Sequence, residues 1–135
     1  MRLAIIAMAC ALLSCAPNPL CVPHTTVWIG QTPTPAPLEA ACSDYARYTA
    51  RRPWEMLEGV NLLVWVREDV RAACEGVSDV ACTIPHRDMR GYTIVVRRGF
   101  TSGTYLHHEG LHVLLYEQGV PGHEHHAIMR RWMRR

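Results

Sequence analysis

Lysine is absent from this chain, and charge of either sign is sparse. All 14 basic residues are arginines, which excludes a P-loop lysine, a Schiff-base lysine and a serine–lysine dyad. The 12 acidic residues leave a formal net charge of only +2, which is too small for a protein that coats nucleic acid. We therefore expect no nucleic-acid partner. A chain of 135 residues has room for one small domain, and we expect a monomer.

A long hydrophobic run is also missing. The longest apolar run covers 11 residues, from 3 to 13, whereas a membrane-spanning helix needs ~20. This run follows the positive charge of Arg2, as in the hydrophobic region of a signal peptide. We therefore expect an exported protein.

The residues that close this run are Leu12-Leu13-Ser14-Cys15, and they resemble the lipobox of bacterial lipoproteins. The resemblance implies that residues 1–14 are removed as a signal peptide and that Cys15 carries a lipid anchor in the membrane. It places the protein in the bacterial cell envelope, on the periplasmic side. The residue after Cys15 is Ala16 rather than Asp. In this the chain resembles lipoproteins that are sorted to the outer membrane. The alternative is an ordinary cleaved signal in which Cys15 has no special role.

The positions of the prolines and cysteines indicate how the chain is organised beyond the signal peptide. Six prolines among residues 16–37 predict an extended tether over residues 15–37, followed by a domain over residues 38–135. Four cysteines remain beyond the signal and lipid positions: Cys21, Cys42, Cys74 and Cys82. In an oxidising compartment they indicate two disulfides, with three possible connectivities. We favour Cys74–Cys82, which closes a short loop, and Cys21–Cys42, which ties the N-terminal arm to the first helix. A cysteine zinc site is the alternative, but the spacings do not suit one.

Apolar periodicity predicts an α+β fold: a helix, a short sheet, a second helix and a C-terminal helix. Pro53 and Gly119 are expected to mark the ends of the first two helices. The predicted elements are a short strand at 27–29, a helix at 38–52, a buried strand at 60–66, an irregular excursion at 67–91, a strand at 92–98, and helices at 105–118 and 123–134.

Histidines cluster near the C-terminus, and two of them form a recognisable pattern. His108-Glu109-Gly110-Leu111-His112 is H-E-x-x-H on a predicted helix. Because four residues make slightly more than one turn, both imidazoles project from one face and can bind a single Zn²⁺. Glu109 lies beside the metal without ligating it, so it can act as the general base that takes a proton from water.

The motif and its surroundings resemble the zincin metallopeptidases. The flanking residues are uncharged and mostly apolar, and a strand, a turn and the motif helix follow in the same order. Gly110 departs mildly, since glycine weakens a helix interior. The resemblance implies a small zincin-like domain that hydrolyses peptide bonds in a peptide or protein substrate. It also implies that the strand at 92–98 is an edge to which an extended substrate pairs.

The third metal ligand is expected after the motif helix. The metzincin continuation fails beyond His112, and no downstream Glu is placed as in a gluzincin. A His at the start of the next helix, with an apolar residue four positions later, resembles the third ligand of small Spartan- and SprT-type zincins. His125, followed by Met129, fits this pattern best, and His123 and His126 stay open as alternatives.

Two other functions are compatible with the same residues. The first is a non-catalytic zinc-binding lipoprotein, which a fourth protein ligand closing the site would favour. The second is a structural envelope lipoprotein, in which the site holds no metal. We expect the metallopeptidase, with zinc bound by His108, His112 and one histidine of the segment 123–126.

Overall fold

The computed structural model describes residues 21–23, 25–101 and 103–134. The expected signal peptide and the lipidation position Cys15 lie outside these residues. Within the described ranges, no helix is both long and apolar enough to cross a membrane.

The fold is α+β, as expected, with helices packed on a small sheet. The motif helix ends before Gly119, as predicted, whereas the first long helix ends at Thr49, earlier than predicted. The elements are β1 (Thr25–Ile29), α1 (Ala36–Thr49), α2 (Pro53–Met56), β2 (Asn61–Arg67), α3 (Val70–Ala73), β3 (Ala81–Pro85), β4 (Gly91–Arg97), α4 (Thr104–Glu117) and α5 (His125–Met133), with a 3₁₀ turn at Gly122–Glu124.

The four-stranded sheet has the order β1-β2-β4-β3. β1, β2 and β4 are parallel, and β3 runs antiparallel to β4. The expectation that the strand at 92–98 forms an edge is wrong, because β4 is hydrogen-bonded on both sides. The edges are β1 and β3, and β3, the neighbour of β4, lies within the region that we predicted as an irregular excursion.

The N-terminal boundary of the domain also differs from the expectation. Cys21 is buried in the core, and β1 pairs with β2 inside the sheet. Cys21 and the strand β1 therefore belong to the folded domain rather than to an extended tether. Both predicted disulfides, Cys21–Cys42 and Cys74–Cys82, are confirmed.

The helices α1 and α4 pack closely against each other at Gly110. A Cβ atom on this glycine would lie 3.0 Å from Cβ of Ala41 and 3.1 Å from Cδ2 of Leu38. A larger residue would separate the two helices, which explains why a glycine is tolerated inside the motif helix. This contact holds α4 close against α1 in the core.

The C-terminal end of α4 is a Schellman turn. Gly119 adopts a positive φ of 88°, its N–H donates to the Tyr116 carbonyl, and the Val120 N–H donates to the Leu115 carbonyl at 3.0 Å. Such a turn satisfies the last carbonyls of a helix and reverses the chain. It returns the chain so that the first residues of α5 meet the histidines of α4.

Candidate metal centre

Three histidines from two helices bring their ring nitrogens together. His108 and His112 lie one turn apart on α4, and His126 lies in the first turn of α5. Nε2 of His108 is 3.1 Å from Nε2 of His112 and 3.3 Å from Nε2 of His126. The ligand atoms of all three residues lie within 4.8 Å of one another, and this group could hold a metal ion.

The nitrogen spacing provides a test of that fit. Ligand nitrogens around a tetrahedral Zn²⁺, with bonds of ~2.0–2.1 Å, are separated by about 3.3 to 3.4 Å. Two of the three separations, 3.1 and 3.3 Å, come close to this value, and all three lie within 4.8 Å. The Nε2 atom of His108 also cannot satisfy both neighbours fully by hydrogen bonding, since it carries either a proton or a lone pair. A shared cation would satisfy all three nitrogens.

The third member of the group changes our ranking of the ligands. His126, one of the two alternatives, joins His108 and His112, whereas the first choice, His125, does not. His125 is fully buried, on the same side of α5 as Met129. The pattern of a histidine followed by an apolar residue therefore identified the core face of α5. His123 projects into solvent, with a side chain 81% exposed.

Two histidines of the group, His108 and His112, are held neutral. Burial, aided by repulsion from the neighbouring histidines, lowers the pKa of His112 to about 3. Burial also lowers the pKa of His108, with smaller contributions from His126 and His107. A neutral imidazole offers its lone pair to a cation, so these two groups could bind a metal ion without first releasing a proton near neutral pH.

Glu109 lies beside the first ligand and is 5% exposed. Its Oε2 accepts a hydrogen bond of 2.6 Å from the hydroxyl of Thr83, on the edge strand β3. Burial raises the pKa of Glu109 to about 7, and the hydrogen bond from Thr83 opposes this rise. A carboxyl group with a pKa near neutrality is suited to both accepting and donating a proton.

The metal group and Glu109 share an open cleft between α4 and β3. The cleft has a volume of about 430 Å³, and its wall includes His108, Glu109, His112, His126 and Thr83. A second cavity of about 370 Å³ borders His108 and His126, with an apolar wall that includes Leu111, Met129 and Trp132. The candidate ligands therefore lie where a substrate can reach them.

Two functional contacts were missed by the sequence reasoning. Thr83 belongs to a strand that we did not predict, and no spacing rule relates it to Glu109, 26 residues away. The contact between His112 and His125, with their Nδ1 atoms 2.9 Å apart, was also missed. The only sequence signal for it is the histidine cluster itself. His107 turns away from the group and pairs with Asp44 on α1 at 2.8 Å.

Comparisons with family models, with curated proteins and with solved structures find no match for this chain. The resemblance to zincins therefore rests on the H-E-x-x-H residues and their surroundings in the sequence.

Proposed function

We propose that this protein is a zinc-dependent metallopeptidase anchored in the bacterial envelope. The observation that carries the proposal is the convergence of three imidazole Nε2 atoms next to a buried carboxyl group in an open cleft. Among the described residues the metal group has three members rather than four. Three protein ligands and an open position are typical of catalytic rather than structural zinc sites.

In this proposal His108, His112 and His126 hold the metal, which supplies a Lewis acid that makes water a stronger acid. Glu109 is the general base. The Thr83 hydroxyl engages Oε2 of Glu109, so we assign Oε1 as the atom that accepts the proton of the attacking water. With a pKa near 7, the same carboxyl group then donates this proton to the departing amine.

The edge strand β3 supplies a place for the substrate. β3 lies beside the cleft, is the outermost strand of the sheet on that side, and carries Thr83 next to Glu109. An extended peptide that pairs with such an edge is bound through backbone hydrogen bonds, with little dependence on its sequence. We therefore propose a peptide or protein segment in extended conformation as the substrate.

One observation bears on the location of the protein. Two disulfides fit an extracytoplasmic compartment, because cytosolic thiols are kept reduced. We propose that the lipid on Cys15 holds the domain at the membrane. A Cys15→Ala protein released from the membrane fraction would support this anchor, and one that stays in the pellet would oppose it.

The function is tested on the full chain, exported to an oxidising compartment and purified in detergent. We expect about one Zn²⁺ per chain and cleavage within an unbiased peptide library. Glu109→Gln should retain zinc and lose roughly 10²–10⁴ in rate, since the amide cannot accept the proton. Glu124→Gln, at an exposed position, is the matched control and should cleave normally.

Each outcome separates the candidate functions. Zinc binding without cleavage by the wild type would favour the non-catalytic zinc-binding lipoprotein. A folded protein that takes up no zinc after reconstitution would favour the structural lipoprotein. Equal cleavage by the wild type and by Glu109→Gln would contradict the proposed base.

A further inference from the structure

His125 belongs to a chain of hydrogen bonds behind the metal group. It is fully buried at the start of α5. Its Nδ1 lies 2.9 Å from Nδ1 of His112, and its Nε2 lies 2.8 Å from the carbonyl oxygen of Val120. Both ring nitrogens of His125 are therefore engaged, each with a different partner.

The partners determine where the protons are. The Val120 carbonyl can only accept a hydrogen bond, so Nε2 of His125 must carry a proton and donate it. In a neutral imidazole the other nitrogen, Nδ1, then has a lone pair and accepts from Nδ1–H of His112. Nε2 of His112 is left with a lone pair, and this is the atom that meets the nitrogens of His108 and His126.

The surroundings of His125 keep its ring in this orientation. The ring of Tyr116 packs against it, with the centroids 4.4 Å apart. A Cβ atom on Gly122 would lie 2.6 Å from the Tyr116 hydroxyl oxygen, so a glycine at 122 is what leaves room for that tyrosine. The acceptor is equally fixed, because Val120 is part of the Schellman turn that ends α4.

We propose that His125 is a positioning residue that relays the Val120 carbonyl to His112 and holds His112 in the Nδ1–H tautomer, with its Nε2 lone pair turned to the metal. Histidines that bind metals generally donate their second ring N–H to a carboxylate or carbonyl group. Here a second imidazole stands between the ligand and the carbonyl. The inference rests on the proposed metal centre, but its tautomer can be measured without any metal.

The first experiment uses the full chain, ¹⁵N-labelled and freed of metal by chelator. Long-range ¹H–¹⁵N correlations report which nitrogen of each imidazole carries a proton. We expect Nδ1–H on His112 and Nε2–H on His125. His112 in the Nε2–H form, or His125 with both nitrogens protonated at neutral pH, would overturn the inference.

The second experiment measures zinc affinity by chelator competition in matched variants. His125→Phe keeps an aromatic ring but removes the acceptor, and we expect about 10–100-fold weaker zinc binding. His125→Asn keeps an acceptor near the position of Nδ1 and should restore most of the affinity. His123→Phe, at the exposed neighbouring position, should bind zinc like the wild type.

The outcomes distinguish this inference from the metal centre on which it rests. A folded His125→Phe protein that binds zinc as tightly as the wild type would overturn the positioning role. If His125→Phe fails to fold, the wild-type tautomer and the affinity of His125→Asn decide. A wild type with Nδ1–H on His112 that takes up no zinc would overturn the metal centre, while the hydrogen-bond relay would stand.

Discussion

The hydroxyl of Thr83 on β3 donates a hydrogen bond of 2.6 Å to Oε2 of Glu109 on α4. This bond joins the edge strand of the sheet to the carboxyl group beside the metal histidines. On the opposite side of β3, Cys82 is joined to Cys74 by a disulfide. The strand that we propose as the substrate platform is thus joined to Cys74 by a disulfide on one face and hydrogen-bonded on the other face to the carboxyl group that we propose as the general base.

The first prediction concerns the pH dependence of cleavage. Thr83→Val keeps the shape of the side chain but removes the hydrogen bond that lowers the pKa of Glu109. The pKa should therefore rise, and the acidic limb of the profile of kcat/KM against pH should move upward by about one pH unit. Thr93→Val is the matched control, because Thr93 bonds to His86 instead. If the acidic limb of Thr83→Val does not move, the hydrogen bond from Thr83 does not control the pKa of Glu109.

The second prediction concerns the stability of the metal-free protein. Burial raises the pKa of Glu109 from 4.5 to about 7, so the folded state binds this proton more tightly than the unfolded state. The contribution of Glu109 is then present in full below the unfolded pKa and is lost as the pH rises through the folded pKa. The wild type should lose about 3 kcal/mol relative to Glu109→Gln between about pH 4 and pH 9.

Urea unfolding in the presence of a chelator measures this difference. Glu124→Gln, at an exposed position, should follow the wild type across the whole pH range. Parallel curves for the wild type and Glu109→Gln would mean that the Glu109 carboxyl is not desolvated in the folded protein.

The third prediction separates the candidate third ligands. His126→Ala removes one of three converging nitrogens and should reduce bound zinc to a small fraction of one per chain after dialysis. His123→Ala removes an exposed side chain and should keep the full amount. Elemental analysis of the two purified variants decides between them. Zinc lost from His123→Ala but kept by His126→Ala would reverse the assignment.

The fourth prediction concerns the contact between α1 and α4. Gly110→Ala gains helix propensity of about 1 kcal/mol but places a methyl group 3.0 Å from Cβ of Ala41, and overpacking costs about 1–3 kcal/mol. We expect a net loss of about 1 kcal/mol in the free energy of unfolding of the metal-free protein. Chemical denaturation measures this loss.

A double-mutant cycle tests whether this contact is the cause. Ala41→Gly removes the opposing methyl group, so the double variant should be more stable than the sum of the two single effects predicts. Additive effects would mean that Gly110 is required for another reason.

Much of the fold follows from local signals in the sequence. The apolar runs at 60–66 and 92–98 correspond to β2 and β4, and Gly119 ends α4 as expected. The edge strand β3 escaped prediction because the backbone hydrogen bonds that define it come from β4. Pairing of this kind leaves little trace in the local sequence.

The candidate site was predicted in part, for a related reason. The spacing of His108 and His112 is a property of one helix, so the sequence predicts their common face. The third ligand depends on how α5 lies against α4, which the turn at Gly119 and Val120 determines. The apolar pattern of α5 reports its buried side, where His125 lies, and gives no direct sign of His126.

The burial of Cys21 limits how far from a membrane this domain can operate. If Cys15 carries the lipid, only five residues, 16 to 20, separate it from the buried Cys21, and the six steps of chain between the two cysteines span at most about 22 Å. The disulfide from Cys21 to Cys42 prevents this distance from growing by partial unfolding of the N-terminal segment. An enzyme held in this way would meet only substrates close to the membrane surface, so that nearness to the lipid would select substrates in addition to the chemistry of the cleft.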